Sequence, residues 1–284
     1  MIYFQGCTLK RGTKCILHWH VKFDYGMAYV MLGRGESLDD LYIDQNFDPK
    51  KIKCNPHAKA VNELLERQFD ERMEANRILD AASFVVNYVN IQSKQAHHDD
   101  VKIDPVLIKS NVFALGETWS EEGYPENGFD GFAECSDLKP QGQGKGKGLS
   151  AYSSVNGNFR KYSCSNSTAS AILVATEKLD IIFLYLSKNF DWIELQNTFD
   201  DWICGEKPTV VMGDCNWHYG NTHPMKTYFS NRGYSQLMTR ATHIRGNIID
   251  HLYICPLVQE LSYKVVHQGV YYTDHDIIGI KISF

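Results

Sequence analysis

The chain has 284 residues, 43% of them hydrophobic and 22% charged, and its formal net charge is −5 at pH 7. This composition is typical of a soluble globular protein with a sizeable core, and the acidic balance excludes a protein that binds nucleic acid through an overall basic surface. No apolar run approaches the roughly 18 residues that a membrane span requires.

The eight cysteines show no paired spacing such as Cys-x-x-Cys. A zinc site is therefore unsupported, and without a signal peptide a disulfide framework is unsupported as well. We expect an intracellular protein with reduced thiols, no membrane segment and no disulfide-linked partner. The sequence leaves the oligomeric state open.

Residues 1–54 contain an apolar stretch, residues 25–32, that Gly33-Arg34 closes and that the motif Ser37-Leu-Asp-Asp-Leu-Tyr42 follows. This block resembles the carboxyl end of the PIF-family DNA helicases, in which an arginine reaches the phosphate tail of a nucleotide. The resemblance implies a vestigial form of that role for Arg34. The chain contains no Gly-x-x-x-x-Gly-Lys-Ser/Thr phosphate loop, so this block by itself cannot be an ATP-driven motor.

Residues 55–80 are predicted to form a connecting helix. Asn55 can cap the helix and Pro56 suits its first turn. Apolar residues then recur at spacings of three and four, which predicts an amphipathic helix: Ala58, Val61, Leu65, Phe69 and Met73. A domain boundary is therefore expected near residues 76–80, and residues 81–284 are expected to form a separate domain.

Beyond residue 81, short apolar stretches alternate with turns. Strands are predicted at residues 84–89, 108–115, 149–155, 171–175, 181–186, 210–212, 248–254 and 277–282. A helix face is predicted between Trp192 and Ile203. Many strands with few long helices favour an α/β (α+β) domain in which two packed sheets are flanked by helices.

The apolar stretch at residues 209–212 runs directly into Gly213-Asp-Cys-Asn216. Strands of α/β proteins present reactive groups at their carboxyl ends, where loops are free to hold ligands. Other predicted strand ends also carry polar residues: Asn90, Glu117, Tyr185, Asp250, Asp274 and His275. Each residue alone also suits an ordinary turn, a surface ion pair or the core, so the order of the motifs has to decide.

The motifs occur in the order found in the endonuclease/exonuclease/phosphatase superfamily, the fold of DNase I and of the apurinic endonucleases. The matching segments are Asn90-Ile-Gln-Ser93, Gly116-Glu-Thr-Trp119, Tyr185-Leu-Ser187, Gly213-Asp-Cys-Asn216, Ile249-Asp-His251 and Thr273-Asp-His275. This resemblance covers residues 84–284 and implies a four-layer α/β sandwich of two packed mixed sheets flanked by helices. Together with the helicase-like block, it resembles Helitron-like transposon proteins, which implies a DNA endonuclease domain and a nuclear location if the protein is expressed.

The superfamily resemblance implies a magnesium (or manganese) site. Glu117 is the principal ligand that it implies, with Asn90 and Asp274 nearby. Magnesium prefers oxygen ligands and keeps several waters, so a sparse site of this kind suits it.

The same resemblance implies roles in phosphodiester hydrolysis, which needs an activated water and donors for the phosphate oxygens. Asp214 would position or deprotonate the water, and Asn216 would contact the scissile phosphate. His275, oriented by Asp250, would stabilise the phosphorane or shuttle a proton. Tyr185 would reach the phosphate or the leaving oxygen through its hydroxyl.

Four residues are candidates for binding nucleic acid. Lys145 and Lys147 lie in a glycine-rich loop that can grip a phosphate backbone, although a solvated loop is an equal alternative. Lys188 stands where apurinic endonucleases have a phosphate-binding Asn, which puts abasic-site specificity in doubt. Trp217 either stacks on a base or packs beneath the site.

DNA is the expected partner, with strandedness open. Two alternatives remain: an RNA deadenylase or phosphomonoesterase of the same fold, and an inactive transposon relic.

Overall fold

The computed structural model describes two short strands, Cys15–Leu17 (β1) and Leu41–Ile43 (β2), and residues 83–121, 128–139, 147–164 and 169–284. The chain divides into two compact units, Met1–Arg67 and Gln68–Phe284. In the first unit, β1 and β2 pair in parallel. Arg34, Lys145 and the predicted connecting helix lie outside the described residues.

The second unit contains the remaining strands and helices. The strands are β3 (Ser83–Asn90), β4 (Val112–Gly116), β5 (Ala133–Asp137), β6 (Leu149–Ser153), β7 (Gly157–Ser163), β8 (Ala169–Thr176), β9 (Asp180–Leu186), β10 (Thr209–Asp214), β11 (Ser235–Gln236), β12 (Asp250–Ile254), β13 (Ser262–Gln268) and β14 (Ile277–Ser283). The helices are α1 (Lys94–Ile103), α2 (Pro105–Ile108), α3 (Trp192–Trp202), α4 (Pro224–Asn231) and α5 (Pro256–Gln259). In these described regions no helix is long and apolar enough to cross a membrane.

These strands form two six-stranded sheets. The first has the order β13-β14-β3-β4-β6-β5, and the second has the order β11-β12-β10-β9-β8-β7. Each sheet is mixed, because β3 and β4 are parallel in the first and β9 and β10 are parallel in the second, while the other pairs are antiparallel. The prediction of two mixed sheets flanked by helices is confirmed.

The core explains the four-layer arrangement. Every residue of β9 and of β10 is buried, as expected for central strands covered on both faces. On the second sheet, Phe229 of α4 stacks on Tyr253 of β12 with the ring centroids 4.6 Å apart. On the first, Val101 of α1 and Leu107 of α2 join a separate buried cluster with Phe113. Burial of each such side chain contributes about 1.5–3 kcal/mol, so the helices are held by their apolar contacts.

The prediction of a strand over residues 108–115 is wrong in its first part. Ile108 ends α2, which begins because Asp104 accepts a hydrogen bond from the N–H of Val106 at 2.9 Å and Pro105 takes the first helical position. The strand starts only at Val112. The apolar composition of the whole stretch hid a change from helix to strand.

Gly213 interrupts the apolar residues of β10 for a steric reason. Its φ is +153°, and a Cβ atom there would lie 2.0 Å from the carbonyl oxygen of Leu184 on β9. Only glycine tolerates this close approach of two backbones. The glycine therefore allows β10 to lie tightly against β9 immediately before Asp214.

Candidate active site

The site lies where strands of both sheets end at a common edge. β3 and β4 are parallel, so Asn90 lies opposite Gly116 at their ends. β9 and β10 are parallel and place Tyr185 opposite Asp214, and the antiparallel β12 begins at Asp250, which also pairs with Asp214. Because β14 is antiparallel to β3, the residues that precede β14 return to the edge where β3 ends.

A buried histidine–carboxylate pair lies at the centre of this edge. His275 Nδ1 is 2.9 and 3.1 Å from the two carboxylate oxygens of Asp250, which is 25 positions away in the sequence. The hydroxyl of Thr242 accepts hydrogen bonds from the backbone N–H groups of Ile249 and Asp250 at 3.2 and 3.0 Å. Since Nδ1 faces a carboxylate, it carries a hydrogen and leaves Nε2 to face other groups.

Asp214 lies beside this pair and is fully buried. Its Oδ1 accepts a hydrogen bond from the backbone N–H of Asn216 at 2.8 Å. Its Oδ2 accepts from Nδ2 of Asn90 at 2.9 Å and from Nδ2 of Asn216 at 3.2 Å. Asn90 belongs to the first sheet and Asp214 to the second, so this contact joins the sheets at the site. We call Asn90, Asp214, Asp250 and His275 the carboxylate–histidine cluster.

Burial and charge raise the proton affinity of two groups within this cluster, Asp214 and His275. Burial and the negative charge of Asp250 raise the pKa of Asp214 well above its usual range, against the opposing effect of His275. Burial lowers the pKa of His275, but the charge and hydrogen bond of Asp250 outweigh it and raise the pKa to about 9. The imidazolium form of His275 is therefore favoured at neutral pH, and Asp214, once ionised, is a stronger base than a solvated carboxylate.

Glu117 stands at the other end of the site in a strained turn. Its φ is +47° and that of Trp119 is +55°, which lie in a backbone region that residues other than glycine rarely adopt. The half-buried carboxylate accepts hydrogen bonds from the Tyr185 hydroxyl at 3.2 Å and from Trp119 Nε1 at 3.3 Å. Burial and the Glu117 charge raise the pKa of the Tyr185 hydroxyl, which therefore stays protonated and donates. We call Glu117, Trp119 and Tyr185 the Glu117 cluster.

Asp274 lies on the His275 side of the site. Its Oδ2 is 3.2 Å from Nε2 of His243, and its Oδ1 is 3.7 Å from Nε2 of His275. The described residues contain two groups of clustered metal-ligand types, Asp214–Asp250–His275 and His243–Asp274–His275, and Glu117 belongs to neither. A single metal site that includes both Glu117 and Asp274 remains a prediction.

The predicted nucleic-acid ligands fall in different settings. Lys188 is exposed on the loop after β9. Lys147 is half-buried, and its carbonyl accepts the backbone N–H of Trp119 at 3.1 Å, which places Lys147 beside the Glu117 cluster. Trp217 stacks on His223 with the ring centroids 4.3 Å apart and meets His251 edge-on at 4.3 Å. Trp217 also packs against the hydrophobic core, and base stacking by Trp217 remains a prediction.

Two residues at the site did not emerge from the sequence. Thr242 holds the backbone of Asp250, and His243 contacts Asp274. Both lie in a segment that pairs with the loop before β14: the N–H of Ile244 donates to Asp274 O at 2.9 Å and that of Asp276 donates to Thr242 O at 2.8 Å. The only sequence signal was a histidine close to the Asp250 motif, and a lone histidine does not indicate a role.

The predicted ligands fit a hard divalent cation. Glu117, Asn90 and Asp274 offer carboxylate and amide oxygens, which Mg²⁺ prefers. Across residues 83–121, 128–139, 147–164 and 169–284, Glu117 contacts only neutral donors and forms no ion pair. Asp274 Oδ1 is a buried atom without a hydrogen-bond partner among the same residues. Glu117 thus has no counter-charge among these residues, and such a carboxylate favours the binding of a cation.

Comparison with known proteins identifies the fold. No protein-family model matches the chain, and no curated protein matches it in sequence. The endonuclease domain of TRAS1, a telomere-specific non-LTR retrotransposon, is similar in structure with a TM-score of 0.51 and 14% identity, over 70% of this chain and 98% of that one. An AP endonuclease from Archaeoglobus fulgidus has a TM-score of 0.53 and 13% identity, over 69% of this chain and 98% of that one.

A third solved structure carries the name of the superfamily. An endonuclease/exonuclease/phosphatase family protein from Leptotrichia buccalis has a TM-score of 0.53 and 15% identity, over 71% of this chain and 100% of that one. At this level of identity the similarity concerns the fold. The two packed mixed sheets with flanking helices are the α/β sandwich of the DNase I-like proteins.

Proposed function

We propose that residues 81–284 form a phosphodiester hydrolase that depends on a divalent cation and cleaves DNA as an endonuclease. The observation that carries the proposal is the buried Asp250–His275 pair, which lies beside the raised-pKa carboxylate of Asp214. The similar solved structures include an AP endonuclease and a transposon endonuclease domain, which supports this reaction class.

In the proposed reaction Asp214 accepts the proton of the attacking water. A carboxylate with raised basicity is better suited to this task than a solvated one. Asn90 and Asn216 donate to its oxygens at 2.8–3.2 Å and thereby hold it in one orientation. Geometry of this kind supplies rate by positioning the base before the reaction.

His275 stabilises the charge that develops on the phosphate. Its Nδ1–H is held by Asp250, so Nε2 is the nitrogen that faces the reacting group. At neutral pH the raised pKa keeps the imidazole ring doubly protonated, so Nε2 also carries a hydrogen. This hydrogen can be donated in a hydrogen bond or transferred. The Tyr185 hydroxyl is a further donor for the phosphate or the leaving oxygen.

Glu117 is the proposed principal ligand of a magnesium or manganese ion, with Asn90 and Asp274 as the other predicted ligands. When bound, such an ion supplies neutralisation of phosphate charge and polarisation of the phosphorus–oxygen bonds. In the structure Asn90 also donates to Asp214, so it acts on the base through its nitrogen and offers only its oxygen to a cation.

We further propose that this activity belongs to a transposon-derived helicase–nuclease polyprotein. The support is the helicase-like block at residues 1–54 and the structural similarity to a retrotransposon endonuclease domain. Lys188 and the loop that contains Lys145 and Lys147 are the proposed contacts to the DNA backbone. The nuclear location remains a prediction.

The full chain should be tested on supercoiled plasmid, single-stranded DNA, duplex DNA with one abasic site, polyadenylated RNA and a phosphate monoester, with magnesium and with a chelator. We expect magnesium-dependent nicking of plasmid, and Asp214→Asn as a matched variant should abolish it. Cleavage of RNA alone would assign a deadenylase instead, and release of phosphate from monoesters alone would assign a phosphatase. Cleavage of the abasic duplex alone would show that Lys188 does not exclude abasic-site specificity.

A further inference from the structure

His243 lies at the site in a short turn that pairs with the loop before β14. It forms an isolated antiparallel bridge with His275, and its ring meets the ring of His275 edge-on with the centroids 4.8 Å apart. Its Nδ1 accepts the backbone N–H of Arg245 at 3.1 Å, and its Nε2 is 3.2 Å from Oδ2 of Asp274. Only 11% of its side chain is exposed, so both nitrogens are committed to protein atoms.

These contacts determine which nitrogen of His243 carries the hydrogen. Because Nδ1 accepts from a backbone N–H, its lone pair is occupied and it carries no hydrogen. The hydrogen of the imidazole must then be on Nε2, where it points to Asp274 and donates a hydrogen bond. The atoms of His243, Asp274 and His275 lie within 4.8 Å of one another, as in a metal site. However, a nitrogen that carries a hydrogen has no lone pair for a metal, so the tautomer argues against that interpretation.

We propose that His243 is a positioning residue that orients the Asp274 carboxylate, a proposed cation ligand, within the site. This inference rests on the proposed function. His243 holds Oδ2 of Asp274, so Oδ1 is turned to the buried side of the site at 3.7 Å from Nε2 of His275. A carboxylate with free rotation would have either oxygen in that place, and partners that fix a ligand or a catalytic carboxylate in this way typically contribute 10–100-fold in activity.

The chain offers a matched control in a second histidine–aspartate pair, between His267 of β13 and Asp276 of the loop before β14. Nε2 of His267 lies 2.7 Å from Oδ2 of Asp276, and the exposures of these side chains are 10% and 32%, against 11% and 32% for His243 and Asp274. In the described part of the chain, the side chains of His267 and Asp276 make no hydrogen bond to the carboxylate–histidine cluster. A loss that comes only from loosening this loop should therefore appear in both pairs.

The test compares two substitutions that each preserve one nitrogen of His243. His243→Gln places an amide N–H near the position of Nε2 and loses the acceptor for the N–H of Arg245. His243→Asn keeps an acceptor near Nδ1 and loses the donor to Asp274. With the full chain, magnesium and supercoiled plasmid, we expect kcat to fall roughly 10–100-fold in His243→Asn and less than about threefold in His243→Gln. His267→Asn should retain wild-type kcat, and thermal unfolding midpoints should report folding in all three.

Several results would overturn the inference. They are a His243→Asn variant with wild-type kcat, a His243→Gln variant whose kcat falls as far as that of His243→Asn, or a fall in kcat in His267→Asn equal to that in His243→Asn. An independent measurement uses long-range proton–nitrogen NMR of the metal-free protein to identify the tautomer of His243. We expect hydrogen on Nε2, and hydrogen on Nδ1 alone would contradict the inference. If the wild-type chain cleaves no substrate, the proposed function fails, and the NMR result still decides the orientation of His243.

Discussion

The carboxylate–histidine cluster and the Glu117 cluster lie at the same edge of the fold but balance charge differently. In the first, Asp214 and Asp250 are fully buried, and the imidazole of His275 lies 2.9 Å from Asp250. In the second, Glu117 is half-buried and contacts a phenol and an indole at 3.2 and 3.3 Å. Both of these partners are neutral donors.

This difference separates two ways of holding negative charge. Buried charges are costly unless they are paired and hydrogen-bonded, so the first cluster carries its own counter-charge in His275. Glu117 has no cationic partner among the described residues, and the strained backbone at φ +47° holds its carboxylate in place. We infer that the first cluster is complete in the protein alone, whereas the second becomes complete only with a cation.

The largest effect is expected from Glu117→Gln, which tests the second cluster. Glutamine keeps the shape and can still accept from the Tyr185 hydroxyl, but it loses the charge that a cation needs. We expect magnesium-dependent cleavage to fall by roughly 10⁴-fold, because loss of the ion removes several kcal/mol of stabilisation. Initial rates and calorimetric magnesium titration measure the change. Unchanged magnesium binding with persistent nicking would show that Glu117 is not the ligand.

The next effect concerns the first cluster. His275→Ala should lower turnover by roughly 10²–10⁴-fold, the range for a positioned acid–base group, and should leave magnesium binding at Glu117 intact. Single-turnover cleavage and calorimetry on the same preparation separate the two effects. If magnesium binding fell together with turnover, His275 would belong to the metal site and the contrast between the clusters would disappear.

Much of the fold follows from local apolar patterns, but edge elements do not. β9 and β10 are buried along their whole length, so each consists mostly of consecutive apolar residues, a pattern that the sequence displays directly. β7 is an edge strand without a buried residue, and α1 buries only Lys94 and Val101, so neither has an apolar period that a single sequence could display. The start of α1 does have a local signal, since Ser93 caps it by accepting the N–H of Ala96 at 3.2 Å.

The site residues also fall into two groups: those that sequence motifs predict and those whose role depends on tertiary contacts. Asp250 and His275 were predicted to meet because family motifs contain them, and in the structure they lie within hydrogen-bond distance. His243 escaped prediction because its contact with Asp274 depends on backbone pairing between segments that are distant in the sequence. An aromatic residue beside a site suits both packing and base stacking; the structure shows Trp217 packed against His223 and His251, and base stacking stays a prediction.

A smaller loss is expected from Asp250→Asn. Asparagine can still accept a hydrogen bond from Nδ1 of His275 but supplies no charge, so we expect turnover to fall roughly 10–100-fold, less than for removal of the ring. The double variant with His275→Ala should be no worse than His275→Ala alone, because the two residues act as a unit. Kinetics of the single and double variants form the cycle. Additive losses would mean that Asp250 and His275 act separately.

The smallest effect is a dependence of the free energy of unfolding on pH, which we expect from the carboxylate–histidine cluster and not from the Glu117 cluster. Burial lowers the pKa of His275, but Asp250 raises it from 6.5 to about 9 in the folded protein. The folded state therefore binds more protons than the unfolded state between these values, and stability must fall as pH rises through this window. The raised pKa of Asp214 acts in the same direction.

The stabilisation by protonated His275 should be fully present below about pH 6.5 and lost above about pH 9, with a total of up to roughly 3 kcal/mol. Urea unfolding at several pH values in a chelator measures it without a bound cation. In Asp250→Asn the attraction that raises the histidine pKa is gone, so the decline over this window should flatten. Glu117→Gln should keep the wild-type slope, because Glu117 lies outside the cluster. A wild-type slope in Asp250→Asn would show that His275 does not carry the counter-charge.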